Sequence, residues 1–350
     1  MMREISYAES INEALYQALD HDSSVICYGL GVTDPKGIFG TTLGLEKKFG
    51  SSRVFDMPTS ENGMTGVGIG ASLGGLKPIM THQRVDFFLL ALDQLVNGAA
   101  KWHYMFGGVC SVPITIRLII GRGWGQGPTH SQNLQAWFAH IPGLKVIMPS
   151  TPNDAKGLLL SAIFDPNPTI FLEHRWLHHT LGDVSKDFYK IPIGSANILK
   201  EGSALTIVSM SYMTLEAIKA CDFLKKHSIN CELIDLRTIK PIDWETIFKS
   251  VKKTGRLLVL DTGFTTCSVA SEIISKVTIK LFKNLKLAPD FLAMPDVPEP
   301  TSYALTKNFY NTEIQILEKV TKMLKIKKLN KNISNDKHHD VPNDFYKGPF

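Results

Sequence analysis

The chain has 350 residues, 44 % hydrophobic and 20 % charged, which is enough apolar material for two packed domains and excludes a disordered chain or a disulfide-stapled miniprotein. Its net charge of +5 gathers towards the end, where Lys325 to Phe350 hold six Lys and three Asp, so the body lacks the clustered basic footprint of a nucleic-acid binder. No uncharged apolar run reaches the ~18 residues of a membrane span, and no apolar core with a cleavage site follows Met1. Five widely spaced cysteines (Cys27, Cys110, Cys221, Cys231, Cys267) without a C-x-x-C read as buried free thiols. These features predict a cytoplasmic, soluble protein with no nucleic-acid or membrane partner.

In chain order, Ile11, Ala14, Leu15, Ala18 and Leu19 repeat at helical spacing and predict a first amphipathic helix. Short apolar runs at Val25–Tyr28, Pro78–Met80, Pro113–Ile116, Lys145–Met148 and Thr169–Leu172 predict strands. Helix-like stretches at Gly63–Gly75, Phe87–Met105 and Asn153–Phe164 lie between them. Strands alternating with helices imply a parallel sheet covered on both faces. The pattern breaks at Glu173–Ile193, with His174, His178, His179, Gly182 and Pro192, and this stretch is expected to be an interdomain linker. The grammar then repeats: strand Leu205–Met210, helix Thr214–Lys226, strand Cys231–Leu236, helix Trp244–Val251, strand Leu257–Leu260. A helix Ser268–Leu281, a strand near Leu292 and a helix around Thr312–Leu324 follow. The expected fold class is therefore α/β, two doubly wound domains over 1–188 and 189–325, with a basic polar tail over 326–350.

The densest glycine cluster runs from Glu61 to Gly75. Gly66, Gly68 and Ala71 satisfy the G-x-G-x-x-G/A dinucleotide pattern, but Pro58 to Glu61 intervene where a strand should lead directly into the turn. A helix of small residues that lets a neighbour approach closely is the better reading. Glu61 opens that helix. By itself it could be a first-turn acid favoured by the helix dipole. The histidines of the linker have no cysteine or acidic partner at metal-ligand spacing, and no G-x-S-x-G supports hydrolase chemistry.

Longer text is more specific than any of these motifs. The segments DMPTSENGMTGVGIGASLGGLKPI, THQRVDFFLLALDQLVNGAAK and GPTHSQNLQAWFAHIPGLKVIMPSTPNDAKGLLLSAIFDPNPTIFLE resemble the beta subunit of the thiamine-diphosphate-dependent 2-oxo acid dehydrogenases of pyruvate, branched-chain and acetoin type. ALTIVSMSYMTLEA and ELIDLRTIKPIDWETIFKSVKKTGRLLVLD continue the resemblance, in order, to about residue 325.

The resemblance implies a thiamine-diphosphate pyrimidine-binding domain followed by a transketolase C-terminal-like domain. It implies that Glu61 hydrogen-bonds a ring nitrogen of the cofactor's aminopyrimidine and so promotes removal of the thiazolium C2 proton. Phe87 matches the aromatic that stacks on the pyrimidine, and Gln83 matches a residue lining the same pocket. His130, in Thr129-His-Ser-Gln132, matches a histidine beside the reacting centre; His140 is expected to be structural. Ile114, Ala162, Ile163, Asp165 and Asn167 match a monovalent-cation site for potassium, although Asp165-Pro-Asn-Pro168 also reads as a helix stop and turn. Trp124, in the glycine-rich loop Gly121–Gly127, is a candidate substrate contact.

Three departures matter. Such an enzyme needs magnesium and a diphosphate clamp, usually Gly-Asp-Gly followed by Asn, and this chain has none. An alpha-type partner is therefore expected to hold Mg2+, in an assembly of two alpha and two beta chains that passes the acyl group to a lipoyl acyltransferase. Arg84 replaces the usual apolar residue beside Gln83 and would favour an anionic substrate group. Glu173-His-Arg-Trp-Leu-His-His replaces a shorter Glu-x-x-x-Leu-Tyr ending, and Tyr346 and Phe350 in the tail could dock on a partner. Arg84 and the altered ending motivate an alternative, a split transketolase-like enzyme with a carbonyl acceptor. A non-catalytic assembly subunit is the third reading, against which Glu61, Phe87 and His130 stand together.

Overall fold

The computed structural model describes residues 2–122, 125–326 and 346. Fourteen strands are described: β1 Met2–Ser6, β2 Val25–Gly29, β3 Val54–Asp56, β4 Lys77–His82, β5 Thr115–Ile120, β6 Lys145–Ile147, β7 Thr169–His174, β8 Leu181–Ser185, β9 Asn197–Lys200, β10 Thr206–Ser209, β11 Glu232–Asp235, β12 Thr238–Lys240, β13 Leu257–Phe264 and β14 Asp290–Met294. The α-helices are α1 Tyr7–His21, α2 Leu45–Phe49, α3 Glu61–Leu73, α4 Val85–Phe88, α5 Ala100–Met105, α6 Gln135–His140, α7 Pro152–Ile163, α8 Tyr212–Lys226, α9 Trp244–Thr254, α10 Val269–Leu281, α11 Tyr303–Thr306 and α12 Glu313–Met323. None among the described residues is long and apolar enough to cross a membrane.

Local chemistry sets the helix starts. Ser6 and Glu9 form a reciprocal capping box at α1, with the Glu9 carboxylate accepting from the Ser6 N–H at 2.7 Å. Thr151 caps α7 and Pro152 fills its first turn, where a missing N–H costs nothing.

The first sheet has the order β12-β6-β7-β5-β4-β2-β3, parallel except for β12. Its central strand β5 is buried at every position, as expected of a parallel strand covered on both faces. Residues of α1 and α7 pack on one face. On the other, Ile69, Phe88 and Leu95 share one continuous core with Val208, Ile234, Val259 and Ile273 of the second half. The second sheet, β14-β13-β10-β11-β9, is parallel apart from the edge strand β9, and α8 and α12 cover its far side. The chain passes from one sheet system to the other between β8 and β9.

Several expectations are corrected. Glu173–Ile193 is more than a linker: Glu173 and His174 end β7, and β8 pairs antiparallel with β1 from Met2↔Ser185 to Ser6↔Leu181. Long-range pairing to the N-terminus supplies the order that local composition does not signal. The stretch Phe87–Met105 is not one helix but α4, a 3₁₀ turn, a wide π turn at Gln94–Ala99 and α5. The π turn falls where Gly98 backs onto Ile69, leaving a Cβ there only 3.2 Å from the Ile69 Cδ1. Strand β12 comes from the second half of the chain yet extends the first sheet. Cys27, Cys221 and Cys231 are buried, but Cys110 and Cys267 are exposed.

Candidate active site

The carboxyl ends of β2, β4 and β5 and the helix α3 converge where ligands bind in open parallel sheets. Glu61 is the first residue of α3 and is only 6 % exposed. Its carboxylate makes no hydrogen bond or ion pair among the described residues, and its backbone carbonyl accepts from Thr65 Oγ1 at 2.8 Å. The glycines behind it serve close packing. A Cβ at Gly68 would stand 2.2 Å from Tyr28 Oη, and Tyr28 donates to the Met64 carbonyl at 3.0 Å. The G-x-G-x-x-A stretch is thus a contact face, not a dinucleotide turn.

Phe87 lies on α4, half-buried, with its ring edge-on to His130 at 5.2 Å and 87°. His130 Nδ1 pairs with Thr129 Oγ1 at 3.1 Å. Gln83 is exposed but its amide covers Gly31, where a Cβ would be 2.7 Å from Nε2. The Gly31 φ of +75° also requires glycine. The loop carrying His130 is braced from the second half of the chain. Arg122 donates to the Pro300 carbonyl at 3.5 Å, and Gly127 backs onto Thr301. Trp124 lies outside the described residues.

Arg84 is 3 % exposed and donates to the Gly121 carbonyl at 2.8 Å and to the Gln126 side chain. Asp86 does not pair with it; that carboxylate accepts from Gln132 at 2.7 Å. Burial and the neighbouring Arg175 charge hold the Arg84 guanidinium down to about 10, still cationic at neutral pH. Arg175, Phe39 and Arg122 were not among the sequence candidates. The only signal was that the departure at Glu173–His179 placed an arginine at the end of β7. Tyr346, which could dock on a partner, has its ring 5.3 Å from the Arg175 guanidinium and 6.0 Å from the His179 ring of this chain. Phe350 is outside the described residues.

The histidines of the same stretch have structural tasks. His174 Nδ1 accepts from the Trp176 N–H at 3.2 Å, its ring stacks on Tyr212 at 5.2 Å, and burial holds its pKa down to about 3. His178 lies 3.5 Å from Glu173, and burial lowers it to about 4. His140 is exposed at the end of α6, lining a groove with Trp137, Trp244 and Lys276.

The five cation-site candidates cluster where α7 ends and β5 and β7 begin. Asp165 is committed to Lys145 and accepts from the Asn167 N–H at 2.9 Å. The carbonyls of Ile114 and Asn167 each accept a hydrogen bond, from the Thr169 N–H at 3.0 Å and the Thr169 hydroxyl at 3.3 Å, and that of Ala162 accepts from both the Asp165 N–H, at 3.2 Å, and the Phe164 N–H. The side chain of Ile163 is buried in the core.

Comparison with known proteins agrees with this layout. The model for the transketolase pyrimidine-binding domain matches residues 3–179, and that for the transketolase C-terminal domain matches 194–316. The acetoin:2,6-dichlorophenolindophenol oxidoreductase subunit beta of Cupriavidus necator is 39 % identical over 93 % of this chain and 99 % of its own length. The pyruvate dehydrogenase E1 component subunit beta of Rickettsia bellii is 39 % identical over 93 % of this chain and 100 % of its own. Among solved structures, a split-gene transketolase, described as an inactive beta4 tetramer, superposes with a TM-score of 0.75. It covers 93 % of this chain and 100 % of that one at 22 % identity, a likeness of fold.

Proposed function

Since the chain belongs to the transketolase-like family of thiamine-diphosphate-dependent E1 beta subunits, we propose that it contributes the pyrimidine half of a shared active site, with Glu61 as the activating acid. The observation that carries this reading is Glu61 itself: a buried residue at a helix N-terminus whose carboxylate no group among the described residues satisfies. The residues present fit the cofactor. Glu61 offers a carboxyl group whose proton can be shared with a ring nitrogen, Phe87 offers an aromatic face, and Gln83 an amide at the rim. When bound, thiamine diphosphate supplies the carbon acid that adds to a 2-oxo acid and stores the electron pair released on decarboxylation.

Each side chain then has a defined task. Glu61 would hold a proton shared with the pyrimidine nitrogen. Phe87 excludes water from one face of the pyrimidine. His130, oriented by Thr129 through Nδ1, can hold or deliver a proton at the reacting centre through Nε2. Nothing in the sequence supplies the Gly-Asp-Gly clamp, so the alpha-type partner is the chain that would hold Mg2+ and the diphosphate. The acyl acceptor we propose is the lipoyl group of an acyltransferase, in a cytoplasmic assembly of two alpha and two beta chains. A potassium ion would rest on the backbone carbonyls of Ile114, Ala162 and Asn167, with Ile163 and Asp165 shaping that turn. We assign residues 1–188 to the pyrimidine-binding domain, 189–325 to the C-terminal domain and the remainder to a tail.

Calorimetry tests the shared site. The chain alone should bind thiamine diphosphate weakly or not at all, and tightly once an alpha-type partner and Mg2+ are present. Full-affinity binding by the isolated chain would overturn the reading.

A further inference from the structure

The loop that carries His130 leaves the end of β5 and leads into α6, and it is exposed at Gly125, Pro128 and Thr129. Its base is closed by the Gly121 N–H, which donates to the Gln132 carbonyl at 3.3 Å. A backbone bond that long, on a surface loop, opens readily. Two charged residues of one short turn grip this base from either side. Arg84 donates to the Gly121 carbonyl at 2.8 Å and to the Gln126 side chain, while Asp86 Oδ1 accepts from Gln132 Nε2 at 2.7 Å. Hydrogen bonds with one ionised partner are shorter and stronger than neutral ones.

The turn that does the gripping is itself anchored. Val85 and Phe88 of α4 are fully buried, and the Phe88 ring lies 6.3 Å from Phe138 of α6, beyond the far end of the loop. Behind the turn, the guanidinium carbons of Arg84 and Arg175 lie 5.8 and 4.2 Å from the centroid of the Phe39 ring, so Arg84 is packed from the rear. Gly121 is pinned as well: its φ is +69°, and a Cβ there would stand 2.4 Å from His174 Nε2. Arg84 and Asp86 carry opposite charges two residues apart, yet they do not pair with each other. The Asp86 charge supports the Arg84 cation only from a distance, and both side chains direct their hydrogen bonds to the loop. Between their two grips, the Phe87 ring meets His130 edge-on at 5.2 Å.

We propose that Arg84 and Asp86 are positioning residues, which clamp the base of the His130 loop to α4 and so hold the His130 ring against Phe87. This rests on the proposed function, in which His130 handles a proton, and names the side chains that keep it in place. The pair acts from one turn because α4 alone reaches both Gly121 and Gln132, the two residues whose backbone bond closes the loop.

Amide hydrogen exchange of the full chain reads the clamp without any substrate. In peptides spanning Gly121 and His130, Asp86→Ala and Arg84→Met should each speed exchange by ~10-fold or more, as expected when a charge-assisted bond is lost. Asp86→Asn keeps an acceptor oxygen for Gln132 and Arg84→Lys keeps a donor, so both should recover part of the protection. Turnover of the complex with its alpha-type partner reads the consequence. Asp86→Ala should lower kcat by ~10-fold to 10²-fold, the scale of a misplaced catalytic group, with KM moving far less. In a His130→Gln background the same substitution should cost nothing further, because it acts through His130. Unchanged exchange in both Asp86→Ala and Arg84→Met would overturn the clamp, and so would an Asp86→Asn as impaired as Asp86→Ala. Additive losses of kcat from Asp86→Ala and His130→Gln would overturn the positioning role. Should the complex decarboxylate no 2-oxo acid while the exchange pattern holds, the clamp stands and the proposed reaction falls.

Discussion

Glu61 and Glu173 are both buried glutamates of the first sheet system, and the protein treats them in opposite ways. Glu173, wholly buried in β7, takes a bidentate pair from Arg117, Nε to Oε1 at 2.6 Å and Nη2 to Oε2 at 2.9 Å. Although burial pushes its carboxyl up, Arg117 and His178 hold it below its ordinary value. Glu61 has no such partner among the described residues. Among the described residues the same contrast separates Arg117, which pairs bidentately with Glu173, from Arg84, which meets only neutral oxygens. Charges that the chain satisfies for itself, such as the Arg117–Glu173 pair, hold the fold together.

The sharpest way to break this comparison is to neutralise Glu61. In the complex, Glu61→Gln should slow exchange of the cofactor's C2 proton by ~10²–10⁴-fold, followed by NMR. Its stability should change little, because no protein bond is lost. An unchanged exchange rate would remove Glu61 from catalysis. Glu173→Gln should do the reverse. Breaking a buried pair from one side strands Arg117 and should cost about 3–5 kcal/mol in denaturant unfolding. A loss below about 1 kcal/mol would erase the distinction between the two sites.

Gly68→Ala probes the packing behind Glu61. The added methyl would meet Tyr28 Oη and the Ile114 Cδ1, and such overpacking typically costs ~1–3 kcal/mol. Accommodation without loss would show that the glycine cluster is not a close-contact face.

A smaller effect sharpens the comparison through pH. Asp235 is wholly buried, and burial together with the Asp154 charge raises it to about 7, opposite in sign to Glu173. Its folded value lies above its unfolded one, so the native state binds the extra proton between about pH 4 and pH 7. The stability it contributes is present below the unfolded pKa and is lost as pH rises through about 7. Asp235→Asn should therefore flatten the fall in Tm between about pH 5 and pH 8. Glu173, depressed, contributes stability above the ordinary carboxylate range and loses it only on strong acidification. An unaltered pH profile in Asp235→Asn would show that this group does not titrate in the window.

Periodicity and composition determined much of the architecture. The alternation of apolar runs with helical faces specified two doubly wound sheets, because a parallel strand must be buried on both sides and the intervening helices must present apolar stripes to it. Glu61, Phe87 and His130 could be proposed from the sequence because they sit in long, ordered stretches of distinctive residues. What escaped was nonlocal. Strands β1 and β8 pair across almost the whole first domain, β12 crosses to the other sheet, and the expected helix through Gln94 is opened by a π turn against Ile69. None of these leaves a periodic trace, since each depends on which surface lies opposite in space. The arginine cluster belongs to the same class. Arg84, Arg175, Phe39 and Tyr346 come from four distant points in the chain, and only tertiary packing turns them into one electrostatic environment.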